Sequence, residues 1–91
     1  MYEQYWDALG EQWDNIIGLY KRFEAKKPVM LLDIQEQKIY AYPYNEFKSE
    51  LSERSQIQLE DQYEAAILDN KVVVFVRDNE KKDFVSYSLE F

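Results

Sequence analysis

Ninety-one residues, 46% of them hydrophobic and 16% aromatic with only two glycines and two prolines, make one domain spanning 1–91 with a single modest core. The absence of both Cys and His excludes zinc-finger ligand sets, thiol catalysis, disulfide scaffolds and Ser-His triads. Eighteen acids against eleven bases give a net charge of −7, which repels nucleic acid and anionic membranes.

Acids stand at the start of the chain where a secretory signal needs a basic segment followed by an apolar one. The longest apolar run, Val72 to Val76, falls far short of the ~20 residues that span a bilayer. The expectation is a soluble, cytoplasmic protein.

In chain order, residues 2–26 read as one long amphipathic helix. Tyr2, Tyr5, Trp6, Leu9, Trp13, Ile16, Ile17, Tyr20 and Phe23 fall within an arc of about 120°. Lys21, Arg22, Lys26 and Lys27 suit its C-terminal dipole, Pro28 stops it, and Gly18 is a place for a bend. Residues 29–34 and 38–42 form a predicted hairpin around Gln35-Glu36-Gln37, ended by Pro43. Asn45 caps a helical stretch carrying Phe47 and Leu51, and Ser55-x-x-Gln58 fits a capping box for a helix ending near Asn70. Whether 45–69 is one helix or two stays open. Residues 71–77 and 83–91 form a second hairpin through Asp78-Asn79-Glu80, with Asn79 supplying the left-handed residue.

The order α-β-β-α-β-β predicts an α+β fold. Its four-stranded, mainly antiparallel sheet consists of two hairpins, with the long N-terminal helix and the middle helical region packed on it. A β-grasp arrangement is compatible with the same order. The hairpins match in length but not in residue pattern, so no internal repeat is evident. No set of residues ties the chain to a known family.

Chemistry-bearing constellations are few. Asp33, Glu36 and Lys38 cluster around the first turn, and Glu-x-Lys is half of a nuclease-like metal motif. Such cleavage needs a clustered acid site on a path open to DNA, so these residues read instead as a solvated hairpin turn. Replacing them together by Asn, Gln and Met is expected to leave function intact. Residues 44–69 hold seven acids and two bases, with Glu46, Glu50 and Glu53 on one helix side and Glu60 and Glu64 on another. Calcium-loop and di-iron spacings are missing there, so no metal, cofactor or catalytic residue is assigned. Tyr40, Tyr42 and Tyr44 alternate for one strand face, where Lys38 is the nearest base.

Three strands fail to alternate apolar with polar residues, so either helices cover both sheet faces or one face meets another molecule. A non-enzymatic interaction or regulatory module is therefore expected, forming a homodimer through apolar helix or sheet surface. Its candidate interface comprises Tyr2, Tyr5, Trp6, Trp13, Tyr20, Phe23, Tyr40, Tyr42, Phe75 and Phe84. An alternative is an acidic inhibitor or mimic docking a basic protein through Glu46, Glu50, Glu53, Glu60, Asp61 and Glu64. A small-molecule binder or small enzyme is the third reading. A helix of 25 residues is about 37 Å long, more than the ~30 Å diameter of such a domain, so an overhanging aromatic end is expected. Trp13→Ala is expected to cost about 3–5 kcal/mol if the helix arc packs on the sheet.

Overall fold

Gln12 divides the N-terminal apolar stripe into two helices. A computed structural model describes residues 3–47, 57 and 60–91. In it α1 (Glu3–Glu11) and α2 (Trp13–Phe23) meet at Gln12, whose φ of −98° and ψ of 10° leave helical geometry. The backbone bonds survive the bend: Gln12 N donates to the Ala8 carbonyl at 3.3 Å, and the Gln12 carbonyl accepts from Ile16 N at 2.9 Å. Its side chain fixes the corner, with Nε2 donating to the Gln37 carbonyl at 3.2 Å and Oε1 accepting from Asn15 Nδ2 at 2.7 Å. This corrects the one long helix over 2–26, and the break lies at Gln12 rather than at Gly18. The molecule measures 31 × 27 × 20 Å, and of the aromatics expected at an overhanging end Tyr5 is buried whereas Trp6 is 57% exposed. Tyr2 lies outside the described residues.

Neither glycine is needed for backbone conformation or space: neither has positive φ, and a Cβ at Gly10 or Gly18 meets nothing within 4 Å. Gly10→Ala and Gly18→Ala are each expected to stabilise by about 0.5–1 kcal/mol, read as a rise of several degrees in Tm. A drop in Tm would mean that these positions have a role beyond the helix.

A 3-10 turn (Glu24–Lys26) ends on Lys27, left-handed at φ 53°, and Pro28 opens β1 (Pro28–Asp33). After β2 (Lys38–Pro43) comes a single helical turn, α3 (Tyr44–Glu46). The next helix among the described residues, α4 (Asp61–Leu68), starts at an extended Glu60 with ψ 160°. Leu51, Ser55 and Gln58 lie outside the described residues. Asn70, left-handed at φ 62°, closes α4 in a Schellman motif: Asn70 N donates to the Ile67 carbonyl and Lys71 N to that of Ala66. Then follow β3 (Val72–Asp78) and β4 (Asp83–Leu89).

The sheet order is β2-β1-β3-β4, with β1 and β3 parallel in the register Val29↔Val73 and both hairpins antiparallel. The fold is α+β as expected, but the sheet is mixed rather than mainly antiparallel. The reason is burial. β1 is buried along its whole length and β3 nearly so, and strands that are apolar on both faces belong side by side at the centre. Met30, Leu32, Val72, Val74 and Val76 face Tyr5, Leu9 and Ile16. Val29, Leu31, Val73 and Phe75 face Phe47, Ile57 and Ile67. The chain thus covers both faces of its own central strands, and the second face is not open to another molecule.

Each half runs helix, left-handed residue, inner strand, Asp-capped turn, outer strand. Parallel inner strands with helices on opposite faces relate the halves by an approximate two-fold axis along the sheet's midline. The repeat unseen in the sequence exists as architecture. Lys27 Nζ joins its two left-handed residues by donating to Asn70 Oδ1 at 3.2 Å.

Candidate functional site

The C-terminal ends of β1 and β3 carry a crossed pair of turns. Asp33 Oδ1 accepts from the backbone N–H groups of Gln35 and Glu36 at 3.0 and 3.2 Å. Asp78 Oδ1 does the same for Glu80 and Lys81, again at 3.0 and 3.2 Å. Each turn ends on a positive φ, at Gln37 and Lys82, so Lys82 and not Asn79 takes the left-handed conformation. The turns then exchange side chains. Gln35 Nε2 donates to Asp78 Oδ1 at 2.8 Å while its Oε1 accepts from Asn79 N at 2.8 Å. Asn79 Nδ2 donates to Asp33 Oδ2 at 2.6 Å. The Gln35 hydrogen bond, opposed by burial and reinforced by the Lys81 and Glu80 N–H groups and the Lys81 charge, holds the Asp78 carboxyl below the usual range.

Both carboxylates are thus occupied as structural acceptors, a poor arrangement for a general base. The solvated turn inferred for Asp33, Glu36 and Lys38 is corrected in part: Asp33 is buried, whereas Glu36 and Lys38 are exposed. Glu36 instead accepts from the Tyr40 hydroxyl at 3.0 Å. Among the described residues no three acidic side chains converge to hold a metal ion.

Glu46, Glu60 and Asp61 are exposed. Glu64 is half-buried and accepts from the Tyr44 hydroxyl at 2.7 Å. Glu50 and Glu53 lie outside the described residues. A broad open groove of about 530 Å³ lies between α2 and β2, lined among others by Asp14, Gly18, Arg22 and Lys38. Its charges are mixed and no buried polar group points into it.

The aromatic candidates divide sharply. Phe75 is 0% exposed, ringed by Phe47, Tyr63 and Phe84 at 5.8, 5.1 and 5.6 Å, so it is core and not interface. Tyr5 is likewise buried, its hydroxyl 3.4 Å from Asp78 Oδ2. Tyr40 stacks on Tyr42 at 6.5 Å along the β2 edge, and Arg22 lies over the Phe23 ring. Trp6 lies beside β4, and Trp13 and Tyr20 lie against Phe91 just past its end. Trp6, 57% exposed, leans on Tyr87 at 5.4 Å, and Phe91, 50% exposed, sits between Trp13 and Tyr20 at 5.4 and 4.8 Å. Burial, and then the nearby Tyr5 hydroxyl, raise the Tyr87 pKa; burial and a hydrogen bond to Glu24 raise that of Tyr20. Both stay protonated at neutral pH.

β4 itself is an edge. Between Asp83 and Glu90 it carries no charge and no proline: Phe84, Val85, Ser86, Tyr87, Ser88 and Leu89. The other edge, β2, begins at Lys38 and ends at Pro43, residues that discourage strand addition. Of this strand, the sequence placed only Phe84 in the candidate interface, and not Val85, Ser86, Tyr87, Ser88 or Leu89. The available signal was the six-residue gap in charge, but edge position follows only from strand order. No helix among the described residues is long and apolar enough to cross a membrane. No family model, curated protein or solved structure matches the chain.

Proposed function

We propose that the chain is a non-enzymatic, cytoplasmic protein-interaction module that accepts an extended strand along β4. The uncharged edge from Phe84 to Leu89 carries this reading, because its backbone groups are a template for main-chain hydrogen bonds. Trp6 and Phe91 supply apolar contacts beside it. The exposed Glu46, Glu60 and Asp61 favour a second reading, docking of a basic protein.

Capture of partners from native extract separates the two, using wild-type and Ser88→Lys baits at ~0.15 and about 0.5 M salt. Ser88 is exposed, and a lysine there places a charge on the bare edge. Strand addition predicts a partner held at both salts and lost with Ser88→Lys. A partner that ignores Ser88→Lys and dissociates at high salt, where screening is about 4 Å, supports the acidic surface instead.

A further inference from the structure

We infer that the strand accepted by β4 is β4 of a second copy, paired antiparallel about a two-fold axis through Ser86; this rests on the reading of β4 as a docking edge. Three observations carry it. First, Ser86 is the midpoint of the seven-residue strand, so an axis there pairs every residue of Asp83–Leu89 with its counterpart. Directly opposed residues of an antiparallel pair point to the same face. Val85, Tyr87 and Leu89 all belong to the α1–α2 side. Val85 of one copy therefore meets Tyr87 of the other, and this occurs twice, an aromatic against a β-branched residue in each case.

Second, the ends complement each other. The same axis brings Lys82, in the turn just before β4 of each copy, near Glu90, just past the end of β4 of the other. Lys82 is exposed, and Glu90, with a side chain 78% exposed, has only a 3.7 Å contact with Lys71. Shifting the pairing by two residues one way sets Glu90 against Glu80; shifting it the other way sets Glu90 against Phe84. A shift by one residue puts directly opposed side chains on different faces unless the second copy is turned over. Only the Ser86 register pairs the whole strand and both charges.

Third, the net −7 does not concentrate here. Lys81, Lys82, Asp83 and Glu90 sum to zero, whereas residues 44–69 hold a net −5. The result is an eight-stranded sheet with both α1–α2 layers on one side. In it, each copy's Trp6 and Tyr87 extend the apolar surface of the other. The copies bury a shared sheet edge, in place of the apolar helix or sheet surface expected from the sequence.

Charge reversal with rescue tests this on the full chain, by light scattering or sedimentation from about 1 µM to about 1 mM, with thermal melts confirming that each variant folds. Wild type is expected at twice the chain's 11.0 kDa. Lys82→Glu and Glu90→Lys each create two like-charge contacts and are expected to weaken the dimer about tenfold. The double variant should return to within about twofold of wild type. A mass of 11.0 kDa throughout overturns self-pairing, and the capture experiment with Ser88→Lys then decides the edge reading by itself. A dimer indifferent to both reversals overturns this register. A dimer that also survives Ser88→Lys forms elsewhere and overturns self-pairing through β4, and capture with Ser88→Lys again decides the edge reading by itself.

Discussion

Phe75→Ala is expected to remove about 3–5 kcal/mol, a large part of the ~5–14 kcal/mol available to a chain of this length. The side chain is fully buried on the sheet face covered by Phe47, Ile57 and Ile67. It is the hub of that layer, since Phe47 stacks on it and Tyr63 and Phe84 meet it edge-on. Truncation loses transfer energy and leaves a cavity walled by three rings that cannot all collapse into it. Phe75→Leu keeps most of the volume and should cost about 1–2 kcal/mol. Trp13→Ala, by contrast, falls to about 1–2 kcal/mol because Trp13 is only half-buried against Phe91, rather than the larger loss suggested by its place in the apolar arc. Urea melts of the three variants give the order directly. If Trp13→Ala lowers the midpoint more than Phe75→Ala, the centre of the core has been misplaced.

Asp78→Ala is expected to cost about 2–4 kcal/mol, because it strands four donors at once. These are Gln35 Nε2, the Glu80 and Lys81 N–H groups, and the Tyr5 hydroxyl. Asp78→Asn keeps an oxygen for the three donors that meet at Oδ1 and should cost about 1 kcal/mol. The two substitutions also differ from wild type in acid. Asp78 titrates lower folded than unfolded, so the native state binds fewer protons and this contribution rises with pH. It is fully present above the ordinary carboxylate pKa of ~3.9 and is lost as pH falls through the depressed folded value. Asp78→Asn removes that dependence, so its stability penalty at pH ~7 should shrink toward pH ~2. A constant penalty would show that the folded carboxyl is not depressed.

The same geometry changes the outlook for the first turn. Asp33 is buried and holds three donors, so Asp33→Asn alone should destabilise, while Glu36→Gln and Lys38→Met should be nearly silent. Loss of function in the triple variant would therefore need a folding control before it spoke to chemistry.

Much of the architecture was legible. The 3-4 spacing of Tyr5, Leu9, Ile16 and Tyr20 marked the helical face that does pack on the sheet, and β-formers on either side of two polar turns marked both hairpins. The corner at Gln12 was not legible, because its cause is a hydrogen bond to Gln37, a residue on another element. The parallel β1–β3 pairing had a signal in the unbroken runs Val29–Leu32 and Val72–Val76. Those runs allowed two explanations, a covering helix or a covering partner, and local sequence does not say which side a helix takes. The candidate site fared worse. Tyr5 and Phe75 have the composition of interface residues but sit in the core, and β4 becomes an edge only through strand order. Asp33 and Asp78 looked like ordinary turn residues because their exchange of partners spans more than forty positions of chain.

The midline pairing of β1 with β3 also sets a timetable for synthesis. Once Pro43 has emerged, β1 can hairpin with β2 and rest against α1 and α2; its Val29–Leu31 face waits for Phe47, Ile57 and Ile67, and its inner edge for β3, complete only 45 positions after Asp33. At ~5–20 residues per second that interval is about 2–9 s, far longer than a hairpin takes to close. During it the nascent chain displays a bare, uncharged strand of five residues, Pro28 to Leu32, to every other chain nearby. The most buried strand of the finished molecule is thus its most hazardous one while the molecule is being made.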